Sequence, residues 1–99
     1  MLTVSTIEID VPFAVHVSVS DDTLSVDLRD GRSILVPVTW YPRLAAGSAK
    51  ERANWRLIGL GEGIHWNDLD EDISLSGLLE GRPSGEGQGS FQRWLASRS

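Results

Sequence analysis

Phe13-Ala-Val-His-Val-Ser-Val-Ser20, followed by Asp21-Asp-Thr23, Leu24-Ser-Val-Asp-Leu-Arg29 and Asp30-Gly31, is the stretch that decides the fold. Phe13, Val15, Val17 and Val19 alternate with Ala14, His16, Ser18 and Ser20, the period of two of a half-buried strand. Leu24, Val26 and Leu28 alternate in the same way with Ser25, Asp27 and Arg29, so Asp21–Thr23 reads as the turn of an antiparallel hairpin. Asp30-Gly31 is a tight-turn dipeptide, and Ser33–Val38 follows as a third strand of a β-meander. Pro37 confines that strand to an edge or marks its end, because proline has no N–H for the ladder. On the other side, Thr3–Val11 carries Val4, Ile7, Ile9 and Val11 and reads as an added edge strand or a loose arm.

Further along, Thr39 is placed to cap a short helix over Trp40–Ala46, with Pro42 in its first turn. Gly47 ends it, and Ser48 caps a second helix over Ala49–Asn54. Trp55–Trp66 is broken by Gly59, Gly61 and Gly63 and reads as a hairpin turning through Gly61-Glu62-Gly63. Asn67–Asp72 is an acidic turn, and Ser74 caps a helix over Leu75–Glu80, closed by Gly81 and barred from continuing by Pro83. Ser84–Ser90 has linker composition, and Ser90 caps Phe91–Ser97, where Phe91, Trp94 and Leu95 share one face. The expected class is α+β: antiparallel meander and hairpins with short helices on the sheet and a C-terminal helix. One domain over residues 1–83, a Gly/Ser-rich linker over 84–90 and a docking helix over 91–98 complete the layout.

Charge and composition restrict function. The 99 residues hold 14 acidic against 9 basic side chains, net -5, and no cysteine. Disulfide scaffolds, thiolate metal sites and cysteine nucleophiles are therefore excluded, and direct nucleic-acid binding lacks its basic patch. No apolar run approaches the ~20 residues of a membrane span, and the first ten residues lack the pattern of a secretory signal; a cytoplasmic protein without membrane contact is expected. Residues 62–80 carry Glu62, Asp68, Asp70, Glu71, Asp72 and Glu80 with no lysine or arginine, whereas 81–99 carry Arg82, Arg93 and Arg98 against Glu86. The basic set is eight arginines and Lys50, a bias toward planar, bidentate pairs with carboxylates.

The motifs for chemistry mostly fail. Counting from Asp68, a calcium loop would need glycine at Ile73 and glutamate at Leu79. Gly59-Leu-Gly61 would need its third glycine at Ile64 to bind a dinucleotide, and no Gly-x-Ser-x-Gly elbow occurs. His16 and His65 have no zinc spacing. Asp68–Asp72 reads first as a solvated turn ahead of a helix N-terminus, second as a charged partner-binding surface. No metal or cofactor is expected. Trp40, Trp55 and Trp66 read as core, whereas Trp94 sits on a helix too short to be stable alone, which must dock on its own domain, a second copy or a partner.

Leu24–Arg32, Val36-Pro-Val-Thr-Trp-Tyr-Pro-Arg-Leu44, Asn54-Trp-Arg-Leu-Ile-Gly59, Gly63-Ile-His-Trp-Asn-Asp-Leu-Asp-Glu-Asp-Ile-Ser74 and Leu78-Leu-Glu-Gly-Arg-Pro-Ser84 together resemble DUF2442, a bacterial family of unknown function. The resemblance extends over residues 13–98, with Phe91–Arg98 similar to the family's tryptophan-containing ending, and Asn67 standing where proline is expected. It implies a small α+β domain, in some members fused to a helix-turn-helix domain and in others encoded beside a second small protein in a toxin–antitoxin-like arrangement. The 15 residues after position 84 leave no room for a helix-turn-helix domain.

The leading expectation is a non-catalytic interaction module, the antitoxin-like half of such a pair. Its partner-binding residues would be Asp68, Asp70, Glu71, Asp72, Phe91, Trp94 and Leu95. The partner would be a protein encoded by a neighbouring gene; a homodimer through the edge strand or terminal helix is compatible with this. The alternative is a small metal-dependent or acid–base enzyme using His65 with the Asp68–Asp72 segment, which requires those groups to converge on one concave site.

Overall fold

The computed structural model describes residues 12–98, and the expected strand at Thr3–Val11 lies outside them. Among the described residues two three-stranded antiparallel sheets form, each ordered along the chain. The first contains β1 (Ala14–Val19), β2 (Thr23–Leu28) and β3 (Ser33–Pro37); the second contains β4 (Trp55–Ile58), β5 (Gly63–Trp66) and β6 (Glu71–Ser74). Between the sheets in sequence lie a 3-10 turn (Val38–Trp40), α1 (Pro42–Ala46) and α2 (Ala49–Ala53). After them come α3 (Leu75–Leu79) and α4 (Gln88–Ser97). The fold is α+β.

In the first sheet, Leu24, Val26 and Leu28 of β2 all point inward, as their alternation requires. In β1 the alternation changes phase. Ala14 faces Leu28 and His16 faces Asp27, so Val15 is one residue too many for its partner strand. The extra residue makes a β-bulge, which buries Ala14 and Val17 and leaves Val15 48% exposed. Pro37 is the last residue of the edge strand β3. The Asp30-Gly31 turn closes with Gly31 at φ 96°, and the Asp30 carboxylate accepts hydrogen bonds from the Arg32 main chain and guanidinium.

The inward faces of both sheets and of the helices feed one apolar cluster, including Val26 and Leu24 from the first sheet, Ile64, Trp66 and Ile73 from the second, and Leu44, Leu69 and Leu75. Trp66 is fully buried and its indole N–H donates to the Arg52 carbonyl at 2.9 Å, while Trp40 and Trp55 pack on the cluster half-exposed. Arg52 is itself buried. It donates to the Leu44 and Ala45 carbonyls at the end of α1 and to Asp21.

Several boundaries move from expectation for local reasons. Thr39 does not cap a helix: it lies inside the 3-10 turn, and Pro42 disfavours helical geometry at Tyr41, so α1 starts at Pro42. Ser48 does cap α2, in a reciprocal capping box with Glu51. The second hairpin turns over 59–62 with Gly59 at φ 60° and Gly61 at φ 110°, leaving Gly63 in β5. The Gly61 carbonyl accepts from Ala14 N–H, joining this turn to β1. The acidic turn is shorter than expected, because Glu71 and Asp72 already belong to β6. Ser74 caps α3 through Gly77 N–H, and Gly81 follows at φ 74°. Finally, α4 begins at Gln88 with Gly87 at its cap position, so Ser90 lies within the helix and donates its hydroxyl to Glu86.

Candidate functional site

The acidic segment is divided by the period of a strand. In β6, Glu71 and Ile73 are buried while Asp72 and Ser74 are exposed, so neighbouring carboxylates lie on opposite faces. Each of the expected partner-binding acids has a different fate. Asp68 accepts from the Asn54 side-chain amide at 2.9 Å. Asp70, at φ 51°, offers its carbonyl to Arg43 at 3.0 Å and holds its carboxylate 3.6 Å from the same guanidinium. Asp72 pairs with His65 Nδ1 at 2.5 Å, and Nε2 of that ring lies 3.1 Å from Asn67 Oδ1. His65 therefore meets one of the three aspartates, and both its ring nitrogens face an oxygen. Among the described residues no three His, Cys, Asp or Glu side chains are grouped to hold a metal ion.

Glu71 is the exception. It is 9% exposed, and its carboxyl makes no hydrogen bond or ion pair with the described residues. Burial pushes its pKa up to about 7; the Arg43 guanidinium opposes this, and Glu86, Asp72 and Asp70 add to it. It lines a cleft of about 450 Å³ with Tyr41, Asp72, Ser74, Arg82 and Ser84. Among the described residues the strand β6 is the last of its sheet, so this cleft runs along an edge that none of them pairs. The far wall is the 82–85 segment, held by the Ser84 N–H on the Trp40 carbonyl and the Tyr41 hydroxyl on the Arg82 carbonyl. Burial, and Glu71 after it, raise the pKa of Tyr41.

Arg43 connects the cleft to the C-terminal helix. Its guanidinium forks onto Glu86 at 2.8 and 2.7 Å and stacks on Trp94 with 5.1 Å to the ring centroid. The Glu86 carboxyl is held below its ordinary pKa by that fork. Arg98 also stacks on Trp94, at 4.5 Å, and donates from Nη2 to both Glu51 carboxylate oxygens. Phe91 stacks on Trp94, and Phe91, Trp94 and Leu95 are all half-buried, with Trp94 packed on the core. The docking helix thus docks on its own domain.

Sequence reasoning missed Tyr41, Arg43, Arg82 and Ser84, which no spacing rule connects to residue 71. Glu71 itself was within reach: in Glu71-Asp-Ile-Ser74 it holds the phase of Ile73, the signature of a carboxylate pointing inward.

The geometry defines a small α+β domain of two antiparallel sheets with an acid-lined cleft at one sheet edge. Its sequence matches the family model described as protein of unknown function (DUF2442) over residues 14–84, and the chain belongs to that family. The match ends before α4. A crystal structure of a protein of unknown function from Rhodospirillum rubrum is similar at 28% identity and a TM-score of 0.66, covering 76% of this chain and 93% of that one. The solution structure of an uncharacterised protein from Chromobacterium violaceum shares the fold at 20% identity and a TM-score of 0.64, over 87% of this chain and 75% of that one. None of the curated proteins matches the chain. Among the described residues no helix is long and apolar enough to cross a membrane.

Proposed function

We propose that the protein is a non-catalytic interaction module of the cytoplasm, the acidic, antitoxin-like half of a pair whose other half is basic. The observation that supports this is the β6 edge, unpaired among the described residues, where Glu71 and Asp72 line an open cleft. Such charge steers encounter with a cationic surface and repels the phosphates of nucleic acid. Asp68 and Asp70 frame the surface, and Phe91, Trp94 and Leu95 supply its apolar half, joined to the acidic turn through Arg43. The test is co-expression with the product of the neighbouring gene followed by affinity purification. Stoichiometric, salt-sensitive co-purification is expected; absence of a complex at micromolar concentrations overturns the reading.

One observation favours a second reading. A carboxyl that titrates near pH 7 in a cleft, beside Tyr41, has the properties of a general acid or base. That reading uses Glu71 rather than His65. A turnover abolished by Glu71→Gln, with a pH profile inflecting near 7, would support it over the first.

A further inference from the structure

We propose that the β6 cleft receives an arginine side chain carried on an extended segment of the protein partner, which adds as a strand to the β6 edge and sets its guanidinium on Glu71. This deepens the interaction reading and rests on it.

The main chain supplies the first argument. Leu75 N–H donates to the Glu62 carbonyl, so positions 62 and 75 form a hydrogen-bonded pair across β5 and β6. In an antiparallel ladder such pairs alternate with unbonded ones. With Ile64 opposite Ile73 and Trp66 opposite Glu71, the main-chain groups of 71 and 73 are turned to β5. Those of Asp72 are turned to the edge that none of the described residues pairs, where they are available to an incoming strand.

The second argument is the carboxyl. A group nine-tenths buried without a partner is destabilising unless something binds it. The nearby cations do not fill that role. Arg43 is committed to Glu86 and the Asp70 carbonyl, and Arg82 pairs with Glu80 at 2.9 Å. The remaining charges around the cleft, Asp70, Asp72 and Glu86, favour a cation. A cleft of about 450 Å³ also has the capacity for a ligand rather than for water alone.

Guanidinium suits this site better than ammonium because its planar fork matches a carboxylate and stacks on an aromatic ring such as Tyr41. The chain uses the same fork itself at Arg43–Glu86. A second copy is the poorer occupant. Pairing two β6 edges antiparallel would bring Asp72 carboxylates of the two copies close together, and like charges across a ladder destabilise it.

The full-length protein is titrated with three capped pentapeptides, Val-Arg-Val-Ser-Val and its lysine and citrulline counterparts, followed by calorimetry and amide chemical shifts. Only the arginine peptide is expected to bind strongly, shifting the Asp72 and Ser74 amides. Its affinity is expected to rise about tenfold from pH 6 to pH 8, as Glu71 passes from about one-tenth to about nine-tenths ionised. Glu71→Gln removes that rise. Binding of the citrulline peptide equal to that of arginine, shifts that map away from β6, or no binding at millimolar peptide each overturns the inference; the citrulline and lysine comparisons need no variant to fold. If the gene-pair complex forms while Glu71→Gln leaves its affinity unchanged, the interaction reading stands and the arginine site falls. If the arginine peptide binds at β6 but no complex forms, the site stands and the gene-pair reading falls.

Discussion

Replacing Glu71 by glutamine is expected to make the protein more stable in alkaline than in acid solution relative to the parent. An acid whose native pKa exceeds its unfolded value keeps its proton in the native state after the unfolded chain has lost it. Stability is then fully present below the unfolded pKa and declines as pH rises through the native one. For Glu71 the ordinary value is 4.5 and the native one about 7, so the decline runs between those limits. At ~1.4 kcal/mol for each tenfold in proton affinity it amounts to roughly 3 kcal/mol, a large share of the ~5–15 kcal/mol available to a domain. Glutamine cannot ionise and escapes the loss. Urea unfolding of both proteins at pH 4.5 and pH 8, with slopes compared to confirm two-state behaviour, isolates the effect. Taking the change in the difference between the two pH values cancels the contribution of Glu51, whose pKa is lowered and which acts equally in both proteins. It also cancels any fixed penalty of the amide. A difference that stays constant between pH 4.5 and pH 8 would refute the claim that Glu71 is buried without a partner.

Four further substitutions probe the fold that carries the cleft. Arg43→Met removes the fork on Glu86 and the stack on Trp94; with side chains 17% and 9% exposed in that pair, a loss of about 3 kcal/mol is expected. Because α4 is tied down there, tryptic cleavage after Arg93 should accelerate. Arg52→Met takes the guanidinium donors from the Leu44 and Ala45 carbonyls, leaving Leu44 only the Gly47 N–H, and should cost ~2–3 kcal/mol, seen as a lower urea midpoint at unchanged slope. Gly61→Ala should be distinctly worse than Gly31→Ala. Both have positive φ, which alone costs ~1–2 kcal/mol, but a Cβ at 61 would sit 2.4 Å from the Ala14 carbonyl while one at 31 meets nothing. Equal melting temperatures for the two would contradict the close approach of the turn to β1.

The sequence was most legible where a signal is local. Period-two alternation marked β2, the Ser48 cap marked α2, and Ser74 and Gly81 bracketed α3, because each depends on residues a few positions apart. The bulge at Val15 was hidden, since a bulge is a property of two strands and nothing in β1 announces which residue β2 will skip. The start of α4 was hidden for a similar reason. Gly87-Gln-Gly89 looks like a linker, and what orders the chain ahead of that helix is Glu86, anchored by Arg43 from 43 positions away. In the site, the acidic residues were legible as a group but not as individuals. Composition places their charges together, whereas the pleat and the distant arginines sort them into a turn, a histidine pair and one buried carboxyl.

That sorting bears on what the acidic segment is for. Had its charge served solubility alone, every carboxylate could have stayed in water, where exposed pairs contribute little. Asp68, Asp70 and Asp72 do stay exposed, where they fasten the turn to Asn54 and Arg43 and fix the His65 ring. Glu71 fastens nothing. It occupies an inward position of β6 that an apolar residue such as its neighbour Ile73 would fill without electrostatic penalty. A fold that neutralises its other inward-reaching charges, Arg43 with Glu86 and Arg52 with Asp21, yet leaves this one open to a cleft, sacrifices stability at one position. Destabilisation confined to a single cleft-lining side chain is the pattern expected of a binding or catalytic group. It makes residue 71, more than the net charge of the segment, the place to test what this protein does.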